Sequence, residues 1–207
     1  MKKLFKEIAT IILATIILGL VVSYPSTKTI LAASISLLII ITLNILAKKS
    51  LGHYFEAKVN PKFWSWYQYW FTKRSHFKKP VPMLWLPLLV AFLSQGLFWW
   101  LAILEFDVSP KTERVSRRHG LYRFSEMTDW HIALIATAGI VINLLASIVG
   151  YLLGFEFFAR LSIFYAFWSI IPLSSLDGSK IFFGSRALWI TIFIITSIFL
   201  GYSLIVV

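Results

Sequence analysis

The chain has 207 residues, 58% hydrophobic and only 14% charged, with a mean hydropathy of +0.79 and a net charge of +11. A soluble domain runs at roughly 45–50% apolar and about 25% charged, so a soluble fold is excluded. There is no cysteine, which removes disulfides, thiolate metal ligands and thiol catalysis together.

The positive charge does not point to nucleic acid. The basic residues flank apolar runs and form no recognisable nucleic-acid module, so they read as determinants of membrane orientation. The apolar runs are 8–22, 29–47, 81–104, 132–153, 161–176 and 187–207. A helix crossing the hydrocarbon needs about 20 such residues.

The first two runs form a helical hairpin, with Pro25 in the turn between them. Met1 to Lys6 followed by an apolar run resembles a signal peptide. No small-x-small site follows it, and a second run comes at once, so a retained first helix is expected. The second helix meets no Gly-Pro break after Ala47, and it is expected to continue to about Lys58. In 63–71, seven of nine residues are aromatic, which places this stretch at the water–lipid interface or, alternatively, makes it a stacking surface for a substrate.

The run 81–104 carries Pro82 and Pro87 early and Ser94, Gln95 and Gly96 in its middle. It is either one kinked span or a re-entrant hairpin turning at Gln95 and Gly96. Charge decides between the two. With the N terminus inside and a hairpin at 81–104, all of the 20 Lys and Arg except Lys28 and Arg160 fall on the inner side. With a crossing, Lys111, Arg114, Arg117, Arg118, Arg123, Lys180 and Arg186 move outside with Lys28. Cytoplasmic loops collect Lys and Arg, so the hairpin is expected.

Three short stretches carry chemistry. They are Lys49-Ser50-Leu51-Gly52-His53, Gly139-Ile140-Val141-Ile142-Asn143 and Ser169-Ile170-Ile171-Pro172-Leu173-Ser174-Ser175-Leu176-Asp177-Gly178. Taken singly, Asp177 is an interfacial cap or a functional acid, and His53 is a satisfied polar residue or a ligand. In order and spacing, the three resemble the site-2 protease family of intramembrane zinc metalloproteases. That family carries HExxH on a helix, then a GPxxN-like segment, then NxxPxxxLDG. The resemblance covers about residues 40–186. It places His53 at the second His, Gly139 and Asn143 in the second motif, and Pro172, Leu176, Asp177 and Gly178 in the third. It implies that His53 and Asp177 are what is left of a zinc ligand set, and that Lys49, Asn143, Ser169, Pro172 and Gly178 line the site.

The departures from the pattern set the functional expectation. Lys49 stands at the first His, Ser50 at the general-base Glu, Ile140 at the second-motif Pro and Ser169 at the third-motif Asn. A catalytic zinc site keeps three protein ligands and an open position. A protonated Lys49 repels a dication, and Ser50 cannot take a proton from bound water; such a base typically contributes about 10²–10⁴-fold. Glu56 follows His53 without the second His of the inverted motif, since position 57 is Ala. His76, His119 and His131 are the alternative ligands, with His131 foremost.

The expected protein is therefore all-α and polytopic, with about five membrane spans, a re-entrant segment and a site-2-protease-like core. Its divisions are an N-terminal hairpin at 1–47, the core at 48–186 and a C-terminal helix at 187–207. It is expected to be a pseudoprotease in the cell membrane with its N terminus cytoplasmic, binding transmembrane protein clients in the lipid bilayer without cutting them. No cofactor and no nucleic acid are expected. The alternatives are an active zinc metalloendopeptidase with a rebuilt ligand set, which needs zinc, and a small transporter or channel. A Lys49–Asp177 ion pair is expected in place of the metal, since Lys49 lies one turn before His53; the alternative is that Lys49 snorkels to water.

Overall fold

A computed structural model describes residues 2–68, 76–111 and 127–205, of which 2–4, 67–68 and 76–78 are described as backbone only. The elements in chain order are α1 (Lys2–Ser23), a single 3-10 turn (Thr27–Thr29), α2 (Ile30–Tyr54), β1 (Ala57–Phe63), β2 (Ser65–Gln68), β3 (His76–Pro82), α3 (Leu86–Leu93), β4 (Leu104–Pro110), α4 (Asp129–Leu152), α5 (Glu156–Ile170), α6 (Asp177–Gly184) and α7 (Arg186–Ile205). His119, residues 69–71 of the aromatic stretch, Val207 and the basic loop beyond Lys111 lie outside the described residues.

The protein is mostly helical, and among the described residues four helices are long and apolar enough to cross a membrane. They are Phe5–Ser23, Thr27–Tyr54, Asp129–Leu152 and Arg186–Ile205. About five spans were expected, and four such helices stand among the described residues. The run 161–176 yields α5, which has 15 residues and so is about 22 Å long, short of the roughly 30 Å of hydrocarbon. It stops because Ile171, with φ −64° and ψ 128°, takes the extended backbone that a following proline imposes. α5 is nonetheless central, with Leu161, Ser162, Ala166 and Ile170 fully buried.

Small residues let the helices approach, as in other membrane bundles. A Cβ on Gly19 would lie 2.2 Å from the Ser34 hydroxyl across the α1–α2 contact. A Cβ on Gly139 of α4 would lie 2.4 Å from Lys48 Cε and 2.8 Å from the Asn44 amide, both on α2.

The all-α expectation is corrected as well. β1 pairs with β4 and β2 with β3, each antiparallel, in two two-stranded sheets. α2 ends at Tyr54 instead of running to Lys58, since Glu56 takes φ 53°. β1 then alternates, with Ala57, Val59 and Pro61 buried and Lys58 exposed, which is the pattern of a strand with one face packed.

The run 81–104 does not cross as one helix. α3 is only eight residues long and ends in a Schellman turn: Gly96 N–H donates to Ala91 O at 2.8 Å and Gln95 N–H to Phe92 O at 3.2 Å. Gln95 and Gly96 take φ 52° and 81°, and the Gly96 position lies against the Tyr24 carbonyl, where a Cβ would come within 2.2 Å. The chain then returns. Trp64 N–H donates to Ile103 O at 2.9 Å, and Trp64 O accepts from Met83 N–H at 3.0 Å, so both ends of the run are tied to one residue. The β1–β4 ladder carries the closure further, to Lys111 N–H donating to Glu56 O at 2.9 Å. Glu56 and Lys111, the two ends of this excursion, thus meet at the foot of α2.

Candidate functional site

Asp177 is the first residue of α6, where a carboxylate meets the positive end of the helix. Gly178 puts it there. A Cβ at that position would fall 2.0 Å from Ile170 O, so only glycine lets α6 begin directly on the end of α5. Asp177 is 3% exposed as a result. Ser169, the last residue but one of α5, is buried; Pro172 is exposed on the connecting turn.

The partner of Asp177 comes from α2. Lys48 Nζ lies 2.5 Å from Asp177 Oδ2, with both side chains nearly excluded from solvent. Asn44, one turn earlier on the same face, donates from Nδ2 to Gly139 O at 2.8 Å. Lys48 and Asn44 therefore both lie against Gly139, and Lys48 reaches on to Asp177. Asn143, one turn after Gly139, is fully buried, its carbonyl accepting from the Ser162 hydroxyl at 2.8 Å.

The ion pair expected for Lys49 is thus made by Lys48. Lys49 faces the other way and pairs with Glu7 of α1 at 2.6 Å, half exposed. A helix turns about 100° per residue, so one step of register carries a side chain from the core to a neighbouring surface. The same rotation takes Ser50 and His53 away: both are exposed, and His53 Nδ1 lies 2.7 Å from Lys111 Nζ. Of the residues expected at the site, Asp177, Gly178, Asn143 and Ser169 are in the buried α2–α4–α5–α6 region, and Lys49, Ser50, His53 and Pro172 are not gathered with them. His131 contacts the Thr128 hydroxyl and packs edge-on against Phe55 at 4.8 Å.

A second buried carboxylate adjoins the first. Glu105 of β4 is 2% exposed, accepts from the Ser175 hydroxyl, and lies 3.3 Å from Lys62 Nζ. Burial raises its carboxyl above the usual range, against the pull of Lys62. Lys180 of α6 donates to Phe106 O, and its ammonium sits 3.8 Å over the Phe106 ring, with Lys48 Nζ 4.8 Å from the same ring. Burial pushes Lys180 down to about 8, partly offset by Asp177. Lys48, Phe106, Glu105 and Lys180 were not singled out in the sequence. Lys48 continues the spacing of Leu37, Ile41 and Asn44, but that this is the buried face of α2 is known only from the packing.

The zinc that the family resemblance implies does not fit these residues. Among the described residues, no three His, Asp or Glu side chains form a group that could hold a metal ion. Oδ2 of Asp177 is taken by an ammonium, which repels a dication. What the arrangement does chemically is neutralise a buried carboxylate and fasten α2 to α6. No family model matches this chain, and no curated protein or solved structure matches it either.

Proposed function

We propose that the chain is a site-2-protease-like intramembrane protein of the cell membrane, without peptidase activity, that binds transmembrane segments of client proteins. The observation that carries the non-catalytic part is the buried Lys48–Asp177 ion pair. A hydrolytic zinc centre needs that carboxylate as a ligand and needs a nearby base. Here the carboxylate is held by a cation, Lys48 of α2. The client-binding part is supported by an apolar cleft of about 360 Å³ between the α1–α2 turn and α3, lined by Leu20, Tyr24, Ile30, Leu88 and Phe92. Its walls suit the hydrocarbon side chains of a membrane helix.

The test is cleavage. Purified protein in liposomes with a tagged single-span client should leave that client intact, with or without a zinc chelator. Wild-type cleavage that a chelator stops would overturn the proposal.

The proposed orientation places the N terminus and Lys111 on the cytoplasmic side. The chain path supports it, because the excursion from Glu56 to Lys111 starts and ends at one place. In this cysteine-free chain, Lys28→Cys should react with an impermeant thiol reagent added outside intact cells, and Lys111→Cys should react only after the cells are opened. Labelling of Lys111→Cys from outside would refute the arrangement.

A further inference from the structure

A second groove has one charged end. Arg160, Phe164 and Trp168 lie one turn apart along a single face of α5, and Leu200 and Leu204 of α7 form the facing wall. Phe98, on the returning limb after Gly96, closes the floor and packs edge-on against Trp168 at 5.4 Å. The groove has a volume of about 330 Å³. From Arg160 to Trp168 the helix rises about 12 Å. Everything along that length is hydrocarbon or aromatic except Arg160.

Arg160 is half-buried and has no carboxylate within ion-pair distance among the described residues. Glu156, one turn earlier, does not reach it. Side chains on a helix lean toward its N terminus, so the guanidinium is directed toward the α4–α5 turn. There Leu153 and Phe155 are exposed, and α5 starts from Phe155 without a side-chain cap on its first amides. Unsatisfied amides at a helix start favour an anion, and a guanidinium matches phosphate oxygens two at a time. An apolar trough with a cation at one end fits a ligand with an anionic head and a hydrocarbon tail.

We propose that this groove binds one anionic glycerophospholipid, its phosphate on Arg160 and one acyl chain along α5 toward Trp168. A client helix brings no phosphate for Arg160, so the charge at the groove's end favours a lipid in this place. The site is separate from the Lys48–Asp177 pair and does not depend on the client-binding proposal.

Native mass spectrometry of the full chain in detergent, offered equal amounts of a phosphatidylglycerol and a phosphatidylcholine of the same acyl chains, tests it. One phosphatidylglycerol should stay bound, at least tenfold preferred. Arg160→Gln should bring the ratio near one. Leu200→Trp, which fills the trough and leaves Arg160 in place, should reduce retention of both lipids. Circular dichroism in the same micelles reports whether each variant is folded. Equal retention of the two lipids by the wild type, or a preference that survives Arg160→Gln, overturns the proposal. Should Arg160→Gln not fold, undiminished phosphatidylglycerol binding by Leu200→Trp overturns it.

Discussion

Lys48→Met is expected to destabilise the protein by about 3–5 kcal/mol, the usual cost of leaving one member of a buried ion pair alone. The loss falls on Asp177, whose carboxylate is 3% exposed and whose second oxygen has no hydrogen-bond partner in the structure. Asp177→Leu should cost a comparable amount, because it leaves the Lys48 ammonium buried without its carboxylate. The double variant Lys48→Met with Asp177→Leu should be much less damaging than the sum, since replacing both charges by apolar groups removes the desolvation cost on both sides. Lys49→Met should cost clearly less than Lys48→Met, because Lys49 is 37% exposed whereas Lys48 is 7% exposed. Reversible unfolding in mixed micelles, followed by tryptophan emission, measures all four. Single-variant losses that simply add would show that the pair is not coupled. A Lys49→Met loss as large as that of Lys48→Met would return the role to the residue first expected to hold it.

The second large effect is a gain of metal. Lys48 of α2 reaches Asp177, and Asn44, one turn earlier on the same face, meets the same glycine of α4 as Lys48 does. Asn44→His with Lys48→His should therefore gather two imidazoles and one carboxylate, the ligand number of an open zinc site. Zinc uptake should rise from none to about one per chain, as read by elemental analysis after gel filtration, and Asp177→Asn in that background should abolish it. The change suggested by the sequence motif, Lys49→His with Ser50→Glu, should not gain zinc. Lys49 points at Glu7, Ser50 is exposed, and His53 is exposed beside Lys111. Equal zinc uptake by the two designs would mean that α2 is rotated by a residue from the structure described here.

Much of the architecture follows from composition and charge. Long uncharged runs allow only buried or membrane-crossing helices. The skew of Lys and Arg favours a hairpin at 81–104, and Ser94, Gln95 and Gly96 mark its turn, where the chain does reverse. The Leu-Asp-Gly stretch marks Asp177 as a candidate acid at the end of an apolar run, whereas its burial at the start of α6 came from the structure.

Other features needed the tertiary structure. The two-stranded sheets fall where basic and aromatic residues mask alternation, and β1 with β4 is held by pairing across more than forty positions, which no local pattern records. The position of α5 was misjudged by about five residues at each end, because Pro172 acts on Ile171 and ends the helix inside an apolar run. The register of α2 was the costliest ambiguity. That helix is apolar around its whole circumference, so hydrophobic periodicity does not say which side faces the bundle. Lys48 and Lys49 are adjacent, identical in chemistry and 100° apart, and only packing against Gly139 and Asp177 decides which of them is buried.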